Sequence, residues 1–160
     1  MGWTLVPPSL KEKLVIASES SILCPSNFTQ LTISSYLADQ PWRDQIASFC
    51  DLYKTRRDAM LESLDEYFPA TAQWTKPGGG FYVWVTLPPE IDTTALMPKA
   101  IVAKVAYVPG TAFYADGFGS WSLRLSYCYP TPERIREGVK ALGGVIKQEM
   151  ASRKGFELKG

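Results

Sequence analysis

The chain has 160 residues, with 17 Lys and Arg against 16 Asp and Glu and no His. An apolar share of 46% and a charged share of 21% are those of a globular domain, which excludes a disordered tail, a collagen-like fibre and a disulfide-dense mini-protein. A net charge of +1 leaves no electrostatic footprint for nucleic acid, and the lack of His removes every Ser-His or Cys-His triad and every His-bearing zinc site.

Pro7-Pro8-Ser9 opens the first predicted helix, over about 9–21, because Pro fits ahead of a helix and Ser can cap it. Cys24-Pro25 breaks it, and Ser26 or Asn27 can cap a second helix to about residue 38. Asp39-Gln40-Pro41 turns the chain into a long helix over 42–67, whose apolar stripe includes Ile46, Phe49, Tyr53, Met60 and Leu64. Pro69 ends it, and the period changes. Residues 73–75 read as a short strand, 76–80 as a glycine loop, and 81–87 as an aromatic and β-branched strand stopped by Pro88-Pro89.

Asp92 or Thr93 starts a helical piece that Pro98 is expected to interrupt, leaving a turn and a helix from about 98 to 103. Strands are predicted over 105–108 and 122–127. Thr131-Pro132-Glu133 opens a last helix, with Ile135, Val139, Leu142, Ile146 and Met150 on its apolar side. Helices followed by strands mixed with helices predict an α+β fold: a small three- to four-stranded sheet covered by helices. The expected organisation is linker helices over 1–40, a small domain over 41–150, and a frayed polar tail over 151–160.

Cys24, Cys50 and Cys128 are too few and too scattered for a disulfide framework or a metal site, and read as reduced thiols of a cytoplasmic protein. No stretch approaches the roughly 20 apolar residues of a membrane span, and the start does not read as a signal peptide. Met1-Gly2 lacks the Ser or Thr that myristoylation expects, because Val6 stands there. Glu90, Asp92 and Asp116 lie in loops or at turns, and no spacing selects two of them as a glycosidase pair.

Two features could carry chemistry. Arg124 sits in a strand between Leu123 and Leu125, so alternation puts it on the opposite face, with Ser122 and Ser126. A guanidinium there needs an anion, either an internal acid or a ligand carboxylate that its planar fork would clamp. Gly78-Gly79-Gly80 has neither the P-loop nor the dinucleotide-binding pattern, and is either a tight turn or a loop that a ligand reaches.

Pro77-Gly78-Gly79-Gly80-Phe81-Tyr82-Val83-Trp84-Val85, then 105–114 with its Pro109-Gly110 turn, then Leu123-Arg124-Leu125-Ser126-Tyr127 follow in an order and spacing that resemble a known family. It is the C-terminal part of the class I and II aminotransferases of fold type I, in the branch with 2-aminoadipate, kynurenine and aromatic aminotransferases. Residues 25–30 and 53–60 also look like that branch, so the likeness runs over about 2–150.

The resemblance implies amino-group transfer between an α-amino acid and a 2-oxo acid, with Arg124 gripping the substrate α-carboxylate. It places Gly79, Gly80, Phe81 and Tyr114 at the substrate pocket, and Ser26 and Asn27 in a loop near the cofactor and the dimer interface. It implies pyridoxal 5'-phosphate in the complete enzyme, a cofactor-holding large domain and a homodimer as partners, and no metal, nucleic acid or membrane. The family's cofactor serves as an electron sink and uses a Schiff-base lysine in an S-x-S-K-like motif. No lysine here inherits that role by pattern, Lys76 beside the glycine loop included, so no catalytic residue is assigned. The chain alone is expected to be inactive and to bind no cofactor tightly. Lys104 stands where the family often has Gly at a helix end, which would cost roughly 1 kcal/mol if its backbone is left-handed. The alternative is a non-catalytic interaction or carboxylate-binding module derived from such an enzyme.

Overall fold

The structure is a computed structural model describing residues 2–157, with side chains through 153. Met1 and the last three residues of the expected tail lie outside the described residues. The chain divides into two compact units, Met1–Ala47 and Ser48–Gly160.

The first unit holds α1 (Pro8–Ile22) and α2 (Asn27–Asp39). Ser9 does not cap α1. Pro8, which has no N–H to satisfy and a φ already set for a helix, takes the first position, and Pro7 is the N-cap. Ser26 caps α2 by accepting a hydrogen bond from the Thr29 N–H at 3.3 Å. No residue among 2–47 is buried, and Leu10, Val15, Ile16, Leu31 and Leu37 are exposed. These helices therefore have no core of their own.

The long helix α3 (Trp42–Tyr67) runs into the second unit, where β1 (Gln73–Trp74), β2 (Tyr82–Thr86), α4 (Thr93–Val102), β3 (Val108–Pro109), β4 (Ser122–Ser126) and α5 (Pro132–Glu157) follow. The strands form one antiparallel sheet in the order β1-β2-β4-β3, so the fold is α+β. Val83, Val85, Leu123 and Leu125 point to one face and join Met60 and Leu64 of α3, Leu96 of α4 and Leu142 and Ile146 of α5 in a single buried cluster. The β2–β4 ladder puts Tyr82, Trp84 and Thr86 opposite Ser126, Arg124 and Ser122 on the other face.

Three elements depart from the sequence expectation. Helix α4 does not break at Pro98. Asp92 caps it by accepting from the Thr94 and Ala95 N–H groups, and burial of Leu96 and Ala100 carries the helix through the missing proline donor. The strand expected over 105–108 shrinks to Val108–Pro109. Lys104 adopts φ 61°, its N–H donates to Ile101 O, and the Val105 N–H donates to Ala100 O. That double closure, a Schellman motif, commits the backbone to ending α4, so pairing with β4 starts only at Val108. Helix α5 continues past Met150 to Glu157, where a frayed tail was expected.

The start of α4 is tied to the approach to β4. The Thr93 hydroxyl shares its proton between the carbonyls of Ser120 and Ser122, each at 2.8 Å, and the Tyr107 hydroxyl donates to Thr93 O at 2.6 Å. Burial raises the Tyr107 phenol above its ordinary pKa, with Asp92 adding to the effect. No helix among the described residues is long and apolar enough to cross a membrane.

Candidate functional site

Arg124 is the centre of the polar sheet face. It is half-buried, and its cross-strand neighbours are Trp84 on β2 and Val108 on β3. Its guanidinium carbon lies 4.0 Å from the centre of the Tyr82 ring and 4.6 Å from that of Phe113. Such contacts stabilise a cation by roughly 0.5–2 kcal/mol. Among the described residues no acid pairs with Arg124, and its buried Nε has no hydrogen-bond partner. Of the two anions that the sequence left open, the internal acid is absent.

Of the other sequence-selected residues of this unit, Tyr114 reaches that face, whereas Phe81 and the glycine loop are held towards α3 and Tyr127. Tyr114 follows the 3-10 turn Gly110–Phe113, and its ring is 6.3 Å from that of Trp84. The Phe81 ring meets Tyr53 at 4.8 Å and Tyr82 at 6.4 Å. The Phe81 carbonyl accepts from the Tyr127 N–H, which fixes the entry to β2 against the end of β4. Ser26 and Asn27 belong to the first unit and share no unit with Arg124.

The glycine loop is fastened through its carbonyls. Arg57 donates to Pro77 O at 3.3 Å and Gly78 O at 3.5 Å, and the Tyr127 hydroxyl donates to Gly79 O at 3.4 Å. Gly80 has φ 88°, a left-handed conformation that favours glycine. A Cβ at any of the three glycines would meet nothing within 4 Å, so the space beside the loop is open.

Tyr82, Phe113 and Arg57 carry this geometry and were not selected from the sequence. Alternation places Tyr82 on a face of β2, but only the β2–β4 register brings it to Arg124. The 3-10 turn that delivers Phe113 has no periodic signal. Arg57 falls in a run of charges that reads as a solvated helix face. Arg56, its neighbour, donates to the Cys128 carbonyl and keeps a buried Nε without a partner.

A cavity of about 560 Å³ opens elsewhere, between Lys104–Ala106, the end of β4 and the start of α5, and Arg124 does not line it. Its cationic Arg134 is already paired with Glu137 at 2.8 Å. No group of three or more acids or cysteines able to hold a metal ion lies among the described residues.

A family model described as aminotransferase class I and II matches residues 1–142. The aromatic-amino-acid aminotransferase 1 of Thermococcus litoralis is 43% identical over 150 residues, which are 94% of this chain and 36% of that protein. The solved kynurenine aminotransferase of Pyrococcus horikoshii, in complex with PMP, is similar with a TM-score of 0.83 and 42% identity, covering 89% of this chain and 35% of its own. The alpha-aminoadipate aminotransferase LysN of Thermus thermophilus, complexed with N-(5'-phosphopyridoxyl)-L-leucine, gives 0.81 and 33%, covering 92% and 38%. The chain thus spans little more than a third of the length of these relatives.

Proposed function

Because the chain belongs to the class I and II aminotransferases, we propose that it supplies the substrate-recognition side of a transamination between an α-amino acid and a 2-oxo acid, with Arg124 holding the α-carboxylate. The observation that carries this reading is a half-buried guanidinium without an internal acid, its Nε buried and unpartnered, set against two aromatic rings. A planar carboxylate supplies two acceptors that match the guanidinium fork. Tyr114 touches the same face through Trp84, and Gly79, Gly80 and Phe81, at the entry to β2, are assigned with it to the room for the rest of the substrate by the family likeness. The family likeness assigns Ser26 and Asn27, at the start of α2, to the cofactor or dimer-interface side of the complete enzyme.

The residues around Arg124 do not fit the cofactor itself. Pyridoxal phosphate needs an amine for its aldehyde, donors for its phosphate and an acid for its ring nitrogen. The groups in contact with Arg124 are aromatic rings, and Lys76, nearest the glycine loop in sequence, is exposed with no polar partner in the described structure. In this reading a large domain holds the cofactor, a homodimer completes the site, and the 160-residue chain alone has no transaminase activity. A separate non-catalytic module is not favoured by a family match over 142 residues.

Calorimetry with 2-oxoglutarate tests the reading on the chain as it stands. Wild type binds and Arg124→Ala does not; equal binding by both removes the assignment. Incubation with pyridoxal phosphate and an amino donor tests inactivity, and turnover would defeat it.

A further inference from the structure

We propose that Tyr82 and Phe113 are positioning residues for Arg124, setting its guanidinium in the orientation that receives a carboxylate. The inference rests on the carboxylate reading and adds how the arginine is held. No hydrogen bond or ion pair among the described residues locates the head of Arg124, and its Nε is buried without a partner. The contacts that locate it are the two rings, at 4.0 and 4.6 Å. They come from elements flanking β4: Tyr82 from β2, and Phe113 from the 3-10 turn that directly follows β3. Phe113 is itself braced by Trp84, with ring centres 5.4 Å apart. An arginine free to sample its rotamers loses that freedom when it binds a ligand, whereas one already ordered does not. With the Nε buried, the terminal Nη groups are the part of the guanidinium left to meet an anion.

The test uses the full ¹⁵N-labelled chain. In wild type the Arg124 Nε–Hε signal, identified by its loss in Arg124→Lys, is expected upfield of those of exposed arginines because of the ring currents. Tyr82→Phe keeps the shift; Tyr82→Leu and Phe113→Leu each lose part of it. Both leucine variants are expected to bind 2-oxoglutarate roughly tenfold more weakly, with Tyr82→Phe close to wild type. Tyr82 and Phe113 are 43% and 45% exposed, so both variants should fold, and their amide spectra verify this. An unmoved Arg124 signal, or wild-type binding, in both folded leucine variants overturns the proposal. Equal binding by wild type and Arg124→Ala, or no binding by either, is a separate failure that removes the carboxylate reading. The ring-current shift then decides alone whether the rings hold the guanidinium.

Discussion

A Cβ added at Gly143 would stand 2.6 Å from the carbonyl oxygen of Tyr67. Helix α5 thus crosses the last residue of α3 at a distance only glycine allows. The neighbouring Gly144 has nothing within 4 Å of the same added atom. Alanine is worth up to about 1 kcal/mol over glycine inside a helix, but a backbone carbonyl cannot give way cheaply. Gly143→Ala is expected to destabilise the chain by about 1–2 kcal/mol, and Gly144→Ala to stabilise it by about 0.5–1 kcal/mol. Urea midpoints of the two variants check this. A shift of the same sign in both would show that the close approach has no energetic weight.

Lys104 carries a left-handed backbone at the C′ position of the Schellman motif, with φ 61°. An L side chain there costs roughly 1–2 kcal/mol that glycine avoids. Lys104 is exposed, so little packing is lost on its removal. Lys104→Gly is expected to raise stability by about 1 kcal/mol, and Lys104→Val to lower it, because a β-branched residue tolerates positive φ least. Thermal melts decide, and a lower midpoint for Lys104→Gly would contradict the strain.

Much of this fold was legible in the sequence, and the failures share a cause. Pro41 and Pro69 bracket α3, so its range 42–67 was readable from punctuation and a 3–4 apolar spacing. The alternation of β4 set Arg124 opposite Leu123 and Leu125, whereas in β2 the aromatic residues read as core and the structure instead buries Val83 and Val85 and leaves Tyr82 exposed. At Pro98 and over 105–107, tertiary contacts outweighed local preference. Burial of Leu96 and Ala100 holds the proline in helix, and the backbone around Lys104 is spent on closing α4. The position of Arg124 on the polar face was readable from alternation; its neighbours were not. Tyr82 reaches it through a cross-strand register and Phe113 through a 3-10 turn, and neither is written in a local pattern.

Thr93 is fully buried, and its hydroxyl and N–H serve the carbonyls of Ser120 and Ser122. Valine fills the same volume without the donor. Thr93→Val is expected to cost about 1–3 kcal/mol, because a buried carbonyl loses its partner. For a chain of this size that is a fall of roughly 2–4 °C in melting temperature per kcal/mol. Thr94→Val, one position on, loses only a 3.4 Å contact with Thr111 at the surface and should move the midpoint little. Equal losses in the two variants would mean that helix propensity rather than the buried bond sets the effect.

Glu149 on α5 joins two cations, accepting from Lys99 of α4 at 2.5 Å and from Arg153 one turn on at 2.9 Å. Those hydrogen bonds, Lys99 first, hold its carboxyl below the ordinary value of 4.5. A carboxylate that titrates lower when folded contributes its full stability above the ordinary range. The contribution then fades as pH falls through the depressed folded pKa, where the native acid finally takes up its proton. Lys99 and Arg153 are largely solvent-exposed, so the pairs together are expected to give only about 1 kcal/mol. Glu149→Gln should therefore be less stable than wild type at pH 7 by about that amount, and the gap should close as pH is taken from 7 to well below the ordinary value of 4.5. Molar salt at pH 7 should narrow it as well, since exposed partners are screened. Urea titrations of both chains across that range provide the measurement, and a gap independent of pH would mean that the side chain contributes by packing along α5 rather than by charge.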